Sequence, residues 1–287
     1  MVKPAECMDE YFATSTSDGF SDSHCSEEYQ STDEKKGGME RKDNKVLMTL
    51  ILLFSPFLVF SGDGQEKLEE YRCFFRKTFL NGNIGEWHVS ISEMENLKTR
   101  DLDWDVEILK ARYGLTGELL SEGKKGEARK LIASTEVMLE QSVKTHPDEP
   151  VFYCIGAGLI GFKIGLTPYK APFYGPVNAR KIEKAYSLDP DEPLVWLEKG
   201  NSDFYRPKAF GGSKERALGY FRKSVSLFGA EPGCDWIKHL AEAMVFNCLI
   251  ELGRKEEAIK FRENLVKETG GMKWLGQKSN RVEIQYN

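Results

Sequence analysis

Apolar residues recur at helical spacing through most of the chain, and they fall into paired runs that are separated by short polar turns. The clearest pair lies near the C-terminus, where Trp236 and Phe246 belong to a first apolar stripe and Phe261 belongs to a second. Positions three or four residues apart share one face of an α-helix, so each pair of runs predicts a helical hairpin. The same spacing predicts two further helices, over residues 64–80 and 86–99.

The paired runs repeat along the chain with a period of 42 to 43 residues. The chain reads Pro147-Asp148-Glu149-Pro150 and then, 43 residues later, Pro190-Asp191-Glu192-Pro193, and the motif Glu231-Pro232 ends a third period. A period of this size is typical of stacked supersecondary units. The pattern therefore predicts an all-α solenoid of helical hairpins over residues 62–270, with four hairpins from about residue 101, and an irregular tail over 271–287.

One copy of the repeat carries bulky and small residues in a fixed order along its two helices: Trp196, Gly200, Ala217, Phe221, Ser224 and Pro232. Small residues let two helices approach closely, and large residues fill the space beside them. This order resembles the tetratricopeptide repeat, which implies a tetratricopeptide-like stack of hairpins whose first helices line a concave groove. The period of that family is about 34 residues, so the longer period here predicts inserted segments.

Two inserted segments lie between the helices of the second and third copies, at about residues 165–176 and 205–215, on the same edge of the stack. Three prolines in the first segment, Pro168, Pro172 and Pro176, predict an irregular chain there. In the second segment, a proline is predicted to end one helix, two glycines to allow positive φ, and a serine to cap the next helix. The candidate loop residues are Arg206, Pro207, Phe210, Gly211, Gly212 and Ser213.

The F-G-G motif of the second inserted segment, taken with the repeats, is similar to exported tetratricopeptide-type proteins of the Bacteroidetes type. A similar F-G-G insertion occurs in the periplasmic tetratricopeptide subunits associated with TRAP transporters. The resemblance covers about residues 85–270, and it implies a scaffold or adaptor that binds a protein or peptide through its concave face. The alternative that it implies is a transport accessory subunit that binds a solute or another small ligand.

The first helices of the hairpins supply the candidate partner-binding groove. Aligning the copies puts aromatic and asparagine side chains on or near it, with Asn201 and Asn247 at equivalent positions. A groove asparagine can hydrogen-bond the backbone of a bound peptide. The alternative is that the aromatic residues only pack against the inserted loop. The candidate groove residues are Tyr153, Asn201, Phe204, Tyr205 and Asn247.

The first 61 residues have the composition of a tail and a targeting segment. Residues 1–38 hold three basic and nine acidic residues with no apolar period, which predicts a disordered acidic tail. From Met39, a short basic stretch precedes an uncharged run from Val46 to Phe60, and this order is typical of a signal peptide over 39–61. We therefore expect translation to start at Met39 and the protein to be periplasmic or secreted; the alternative is an N-terminal membrane anchor.

The charge of the chain is unevenly distributed, and this distribution bears on the kind of partner. The 287 residues include 40 basic and 45 acidic ones, for a formal charge of −5, but residues 62–287 carry 34 of each sign. A neutral domain gives no electrostatic reason to expect nucleic acid or another polyion as partner. Recognition is therefore expected to depend on the shape and the individual side chains of a groove.

The sequence contains no arrangement of residues typical of a catalytic or metal site. Residues 156–161 spell G-x-G-x-x-G, but we interpret these glycines as close helix contacts, because the prolines that follow argue against the helix of a dinucleotide-binding unit. The four histidines are scattered. Four of the six cysteines lie in residues 62–287, at 73, 154, 234 and 248; they are widely spaced, and the sequence leaves their pairing open. We therefore expect no enzyme activity, no cofactor and no metal.

Overall fold

A computed structural model describes residues 62–229 and 233–276. These residues form ten α-helices and three short 3-10 helices, and they contain no β-strand. The α-helices are α1 (Gly62–Asn81), α2 (Trp87–Glu95), α3 (Leu102–Ser121), α4 (Lys125–Thr145), α5 (Pro150–Leu166), α6 (Ala171–Leu188), α7 (Pro193–Tyr205), α8 (Lys214–Leu227), α9 (Trp236–Glu251) and α10 (Lys255–Thr269). The 3-10 helices span Ile84–Glu86, Pro168–Lys170 and Lys208–Phe210. The acidic tail and signal peptide predicted over 1–61 lie outside the described residues.

Eight of the helices pair into four hairpins, α3–α4, α5–α6, α7–α8 and α9–α10, and consecutive hairpins pack against one another. The first helices of neighbouring hairpins lie side by side, α3 against α5 and α5 against α7. The apolar stripes of the hairpin helices face the interior, where Phe152 of α5 and Phe221 of α8 are fully buried. The prediction of an all-α fold built from helical hairpins is therefore confirmed.

Each hairpin after the first begins with a carboxylate cap, and the three caps are 43 residues apart. The side chains of Glu149, Glu192 and Asp235 accept the backbone N–H group two residues further on, at 3.0, 2.9 and 2.9 Å. A side chain that satisfies a free N–H group stabilises the start of a helix. The third cap is therefore Asp235, while the predicted motif Glu231-Pro232 lies outside the described residues.

Helix α1 fastens the start of this domain to its last hairpin. It packs against both α3 and α9, and a disulfide joins Cys73 on α1 to Cys234, two residues before α9. One turn further along α1, Nε of Arg76 donates to Nε2 of the buried His239 on α9 at 2.9 Å. The array of hairpins is thereby closed through α1, a connection that the repeat pattern does not predict.

Buried aromatic rings fill the space where α1, α2, α3 and α9 meet. The ring centroids of Trp87 and Trp236 lie 4.8 Å apart, and the ring of Phe79 lies 5.6 Å from Trp236. Gly114 of α3 makes this approach possible, because a Cβ atom there would lie 2.4 Å from Trp87 and 2.7 Å from Trp236. Large aromatic side chains contribute strongly to a core when they are buried. This cluster therefore reinforces the closure through α1.

The chain returns to α1 after α10. The backbone N–H of Met272 donates to the carbonyl of Leu80 at 2.7 Å, and Nε1 of Trp274 donates to the same carbonyl at 3.1 Å. The sequence predicts an irregular tail over 271–287. Its described part, residues 271–276, has no regular helix but packs against the end of α1.

The helix predicted over residues 86–99 ends earlier, at Glu95. The residues that follow form the turn into α3, where the side chain of Asp101 accepts the backbone N–H of Trp104 at 3.3 Å. A capping residue has a non-helical backbone, so α2 and α3 cannot form one continuous helix through Asp101. Among residues 62–229 and 233–276, no helix is both long and apolar enough to cross a bilayer.

Candidate functional site

Exposed aromatic side chains concentrate at one edge of the helix stack. Helices α5 and α7 pack side by side in successive hairpins, so the inserted segments that follow them lie at the same edge. Of the five exposed aromatic side chains in the described part of the chain, four come from these segments: Tyr169 (76% exposed), Phe173 (77%), Tyr205 (71%) and Phe210 (77%). A group of exposed apolar side chains marks a candidate binding surface. We call these four residues the aromatic rim.

An ion pair anchors the second inserted segment. Arg216 of α8 donates to both carboxylate oxygens of Asp203 on α7, at 2.7 and 3.1 Å, and also to the carbonyl of Gly211. The backbone N–H of Ser213 donates to the carbonyl of Asp203 at 3.2 Å. Bidentate arginine–carboxylate pairs fix geometry better than single hydrogen bonds do. The anchor therefore holds the loop that carries Phe210.

The local backbone explains the F-G-G motif. Helix α7 ends at Tyr205, and Gly211 has φ = 86°, in the left-handed region that favours glycine. Gly212 has no room for a side chain, because a Cβ atom there would lie 1.9 Å from the carbonyl oxygen of Arg206. Ser213 caps α8, with its Oγ accepting a backbone N–H at 3.2 Å. The two glycines and the serine thus form a compact turn that leaves the neighbouring phenylalanine exposed.

The first inserted segment is shorter than its prolines predict. A single 3-10 turn follows α5, and α6 already begins at Ala171. Pro172 lies in the first turn of α6, where no N–H partner is needed, and Pro176 lies further inside the helix. Asn178 donates to a backbone carbonyl of α5 at 2.7 Å and ties the two helices together. The expectation of an irregular chain is therefore wrong over 171–176.

A buried polar cluster joins α3 to α7. The phenol of Tyr113 donates to Oε1 of Glu198 at 2.8 Å, and Nδ2 of Asn201 donates to the same oxygen at 3.1 Å. Glu198 is only 2% exposed, and burial raises the pKa of its carboxyl to about 7 although both hydrogen bonds oppose this. Burial, and then the neighbouring Glu198, also raise the pKa of Tyr113 well above its ordinary value. The cluster therefore changes its charge near neutral pH.

The G-x-G-x-x-G stretch lies inside α5. A Cβ atom on Gly158 would lie 2.3 Å from the ring of Tyr113, and one on Gly156 would lie 3.2 Å from Leu139. The missing side chains let α3 and α4 pack closely against α5. These contacts confirm the interpretation for Gly156 and Gly158, whereas a Cβ atom on Gly161 would have no atom within 4 Å.

The five predicted groove residues do not form one open surface. Tyr205 is exposed, whereas Phe204 is only 8% exposed and Asn201 belongs to the buried cluster. Near the start of α5, at the opposite end of that helix from the first inserted segment, the phenol of Tyr153 donates to the carbonyl of Pro147 at 2.8 Å. A partner-binding role for these residues stays a prediction, and among these four Tyr205 is the most accessible.

Asn201 and Asn247 are not at equivalent positions. Helices α7 and α9 begin at Pro193 and Trp236, 43 residues apart, and this register aligns Asn201 with Met244. The two asparagines are 46 residues apart, three more than the separation of the helix starts. Asn247 is half-buried near the end of α9, where its amide lies 4.0 Å from the Met244 sulfur.

Basic side chains flank the aromatic rim. Lys170 and Lys208 are exposed, and neither forms an ion pair with any residue that the structure describes. Arg206 donates to the hydroxyl of Ser202 at 2.7 Å, and Lys214 donates to a backbone carbonyl of α7 at 2.7 Å. The edge therefore combines flat apolar rings with the positive charges of Lys170 and Lys208, whereas Nζ of Lys214 lies 4.0 Å from a carboxylate oxygen of Glu251.

An open depression adjoins the first inserted segment, between α4, α5 and α6, with a volume of about 210 Å³. Its lining includes Arg129, Ile132, Glu136, Lys163, Leu166 and Tyr174. Small-molecule pockets usually span about 300–1,000 Å³. The depression is thus large enough for part of a ligand but too small for most ligands as a whole.

Potential metal-ligating atoms come together once within 62–229 and 233–276, on Glu69, Cys73 and Cys234. The two sulfurs are bonded to each other in the disulfide, so they are not available to a metal. His239 is also engaged: Arg76 donates to its Nε2, so its Nδ1 carries the proton and donates to a neighbouring glutamate at 2.8 Å. Both groups therefore have structural roles.

Three features described above are not predicted from sequence: the buried cluster, the exposure of two aromatic side chains, and the place of Arg129. Tyr113 and Glu198 are separated by 85 residues, and the only local signal is a glutamate among the apolar residues of α7. Tyr169 and Phe173 lie in a segment that its prolines mark as a loop, and their exposure follows from the packing of α6. Arg129 is one of many charged residues on amphipathic helices, and nothing in its spacing distinguishes it.

Comparison with solved structures finds similarity to the HusA haemophore from Porphyromonas gingivalis, with a TM-score of 0.53 and 19% sequence identity. The match covers 67% of this chain and 96% of that chain. At this identity the likeness concerns the helical fold alone. No protein-family model matches the chain, and no curated protein matches it significantly.

Proposed function

We propose that this protein is an exported, non-enzymatic binding protein that holds a flat, apolar and negatively charged ligand on its aromatic rim, with haem as the first candidate. The observation that carries the proposal is the rim itself, four aromatic side chains that are each at least 71% exposed at one edge. Aromatic rings offer flat apolar faces on which a planar ligand can stack. Lys170 and Lys208 add positive charge for its anionic groups.

The fold likeness supports haem as the first candidate. The structural neighbour is named as a haemophore, and it comes from Porphyromonas, a member of the Bacteroidetes. The repeats and the F-G-G motif of this chain resemble exported proteins of the Bacteroidetes type. Haem is a planar apolar macrocycle that carries two carboxylate groups, so it suits both the rings and the basic side chains. In this role the protein would act as a ligand-binding transport accessory.

The disulfide supports the proposal of export. Disulfides form and persist in oxidising compartments and are rare in the cytosol, and Cys73 is bonded to Cys234. We propose that the segment over 39–61, outside the described residues, directs export and leaves no stable membrane span after cleavage. An uncleaved N-terminal anchor is the alternative.

A protein or peptide partner is the second candidate, bound by a tetratricopeptide-type scaffold. Aromatic residues are enriched in protein interfaces, and the exposed Tyr205 and Phe210 both belong to the anchored second inserted segment. A partner on this loop would also approach the end of α9, where Asn247 is half-buried.

The test compares rim variants with a matched control in a haemin titration of the purified protein. Binding is followed by the Soret absorbance band and by quenching of tryptophan fluorescence. The rim variants are Tyr169→Ala with Phe173→Ala, the two rings next to the depression, and the control is Val89→Ala with Val137→Ala, two apolar side chains that are 52% and 72% exposed elsewhere. Each lost ring contact is worth about 0.5–1.5 kcal/mol, so the rim variant is expected to bind haemin about tenfold more weakly.

Haemin binding that weakens in the rim variant and not in the control supports the proposal. Failure of the unmodified protein to bind haemin, or equal binding by all three proteins, overturns haem as the ligand of this edge. Co-purification of a partner protein that is lost on Tyr205→Ala and retained by the control would then favour the second candidate.

A further inference from the structure

The depression between α4, α5 and α6 lies next to two residues of the aromatic rim. Its lining includes Thr167 and Tyr174, and Tyr169 and Phe173 lie on the same short segment between them. A ligand that stacks on these two rings therefore has the depression within reach of its edge.

The charges in the depression are unequal. Nζ of Lys163 lies 2.8 Å from Oε1 of Glu136 and 5.3 Å from the ring centroid of Tyr174, so Lys163 already has partners. The side chain of Arg129 lines the same space and is exposed. It makes no ion pair or hydrogen bond with residues 62–229 and 233–276. One positive charge is therefore left without a counter-charge at the mouth of the depression.

The apolar part of the depression would strengthen an interaction with that charge. Ile132 is 3% exposed, and Leu166 is half-buried beside it in the lining. A ligand that covers this apolar surface would exclude water from it, and charge-assisted hydrogen bonds gain strength where water is excluded. An arginine guanidinium can bind both oxygens of a carboxylate, with a geometry that a lysine does not offer.

The volume limits what the depression can hold. About 210 Å³ is less than whole small-molecule pockets usually provide. It is enough for a carboxylate and the short apolar chain that carries it. The remainder of a flat ligand would have to lie outside, against the exposed rings.

We propose that Arg129 is a specificity-determining residue, which binds a carboxylate of the ligand in this depression while the flat body of the ligand stacks on Tyr169 and Phe173. The inference depends on the proposed function. It restricts the ligand class to planar apolar molecules that carry a carboxylate on a short flexible arm. Lys163, held by Glu136, lines the same depression.

The experiment compares haemin with haemin dimethyl ester, which has the same flat body but no free carboxylate. Both are titrated into the unmodified protein, into Arg129→Gln, and into the control Arg180→Gln, an exposed arginine of α6 that forms no ion pair with the described residues. Thermal melting verifies that the three proteins are equally folded. The unmodified protein and the control are expected to bind haemin at least tenfold more tightly than the ester. Arg129→Gln is expected to lose most of this preference for haemin and to keep only the part that Lys170 and Lys208 contribute.

Equal binding of haemin and ester by the unmodified protein overturns the role of Arg129 and leaves the aromatic rim as the haem site. The same conclusion follows if Arg129→Gln and Arg180→Gln discriminate between the ligands equally. If the unmodified protein binds neither ligand, the proposed function itself fails, and the inference fails with it. A preference for haemin over the ester that falls in Arg129→Gln and not in Arg180→Gln supports the proposal.

Discussion

Removing the disulfide between Cys73 and Cys234 is expected to destabilise the protein strongly. The two cysteines are 161 residues apart, so the bond closes a very long loop in the unfolded chain. The chain-entropy relation for a loop of this length gives about 5 kcal/mol near room temperature. Measured values for native disulfides fall at or below this figure, so we expect a loss of about 3–5 kcal/mol.

Urea unfolding followed by far-UV circular dichroism measures this loss. With a slope of about 2–3 kcal/mol per molar urea, the midpoint should fall by about 1–2 M when the protein is reduced. The variant Cys73→Ser with Cys234→Ser should show the lower midpoint with and without reductant. This variant keeps the free, buried Cys154 and Cys248, so it separates the disulfide from other thiol effects.

Two results would refute this reasoning. One is a midpoint that does not change when the unmodified protein is reduced. The other is a reductant effect of equal size in the double variant, which would place the redox-sensitive element elsewhere. A native contact between α1 and α9 that persists without the bond, through Arg76 and His239, does not alter the expectation, because the entropy term acts on the unfolded chain.

Three further predictions concern the buried cluster, a helix contact and the loop anchor. Because burial raises the pKa of Glu198 from 4.5 to about 7, the folded protein should lose up to about 3 kcal/mol of stability as pH rises through this range, and Glu198→Gln should remove that loss. Gly200→Ala should destabilise by about 1–3 kcal/mol, since its Cβ would lie 2.3 Å from the buried ring of Phe221. Arg216→Gln should release the second inserted loop, so trypsin should cleave after the exposed Lys208 several-fold faster.

Each of these predictions has a control. The exposed Glu263→Gln should keep the pH dependence of the free energy of unfolding, and an unchanged dependence in the Glu198 variant would contradict its assigned pKa. Gly219→Ala, at a helical glycine with no atom within 4 Å, should stabilise the protein slightly in denaturant melts, opposite in sign to the Gly200 variant. Arg222→Gln removes another exposed ion pair of α8, and equal proteolysis of both arginine variants would refute the anchor.

The hairpins are predictable from sequence because their signals are local. An apolar stripe, a turn glycine and a capping carboxylate all lie within about one hairpin of each other. In α7, for example, the apolar stripe directly follows the capping carboxylate of Glu192. The error over Pro172 is also local in origin. Proline opposes a helix in its interior but is tolerated in the first turn, and the sequence does not show where α6 begins. Pro176 lies inside α6, and this rule does not explain it.

The closure through α1 is not predictable in the same way, because it joins distant parts of the chain. Nothing near Cys73 indicates Cys234 as its partner, and the spacing of four cysteines leaves several pairings open. The polar cluster has the same character: Tyr113 approaches Glu198 only because Gly158 lets its ring pass over α5. Such contacts depend on how far each hairpin is rotated relative to the one before it, and that rotation has no signature in a single repeat.

Closure through α1 also restricts how this protein can change in evolution. In an open array each repeat contacts only its neighbours, so repeats can be gained or lost with little consequence for the others. Here Cys73 must meet Cys234, and Phe79 must meet Trp236, across the whole set of hairpins. Adding or deleting one 43-residue unit would separate both pairs. Diversification is therefore confined to the lengths and side chains of the inserted segments, where the candidate binding residues lie.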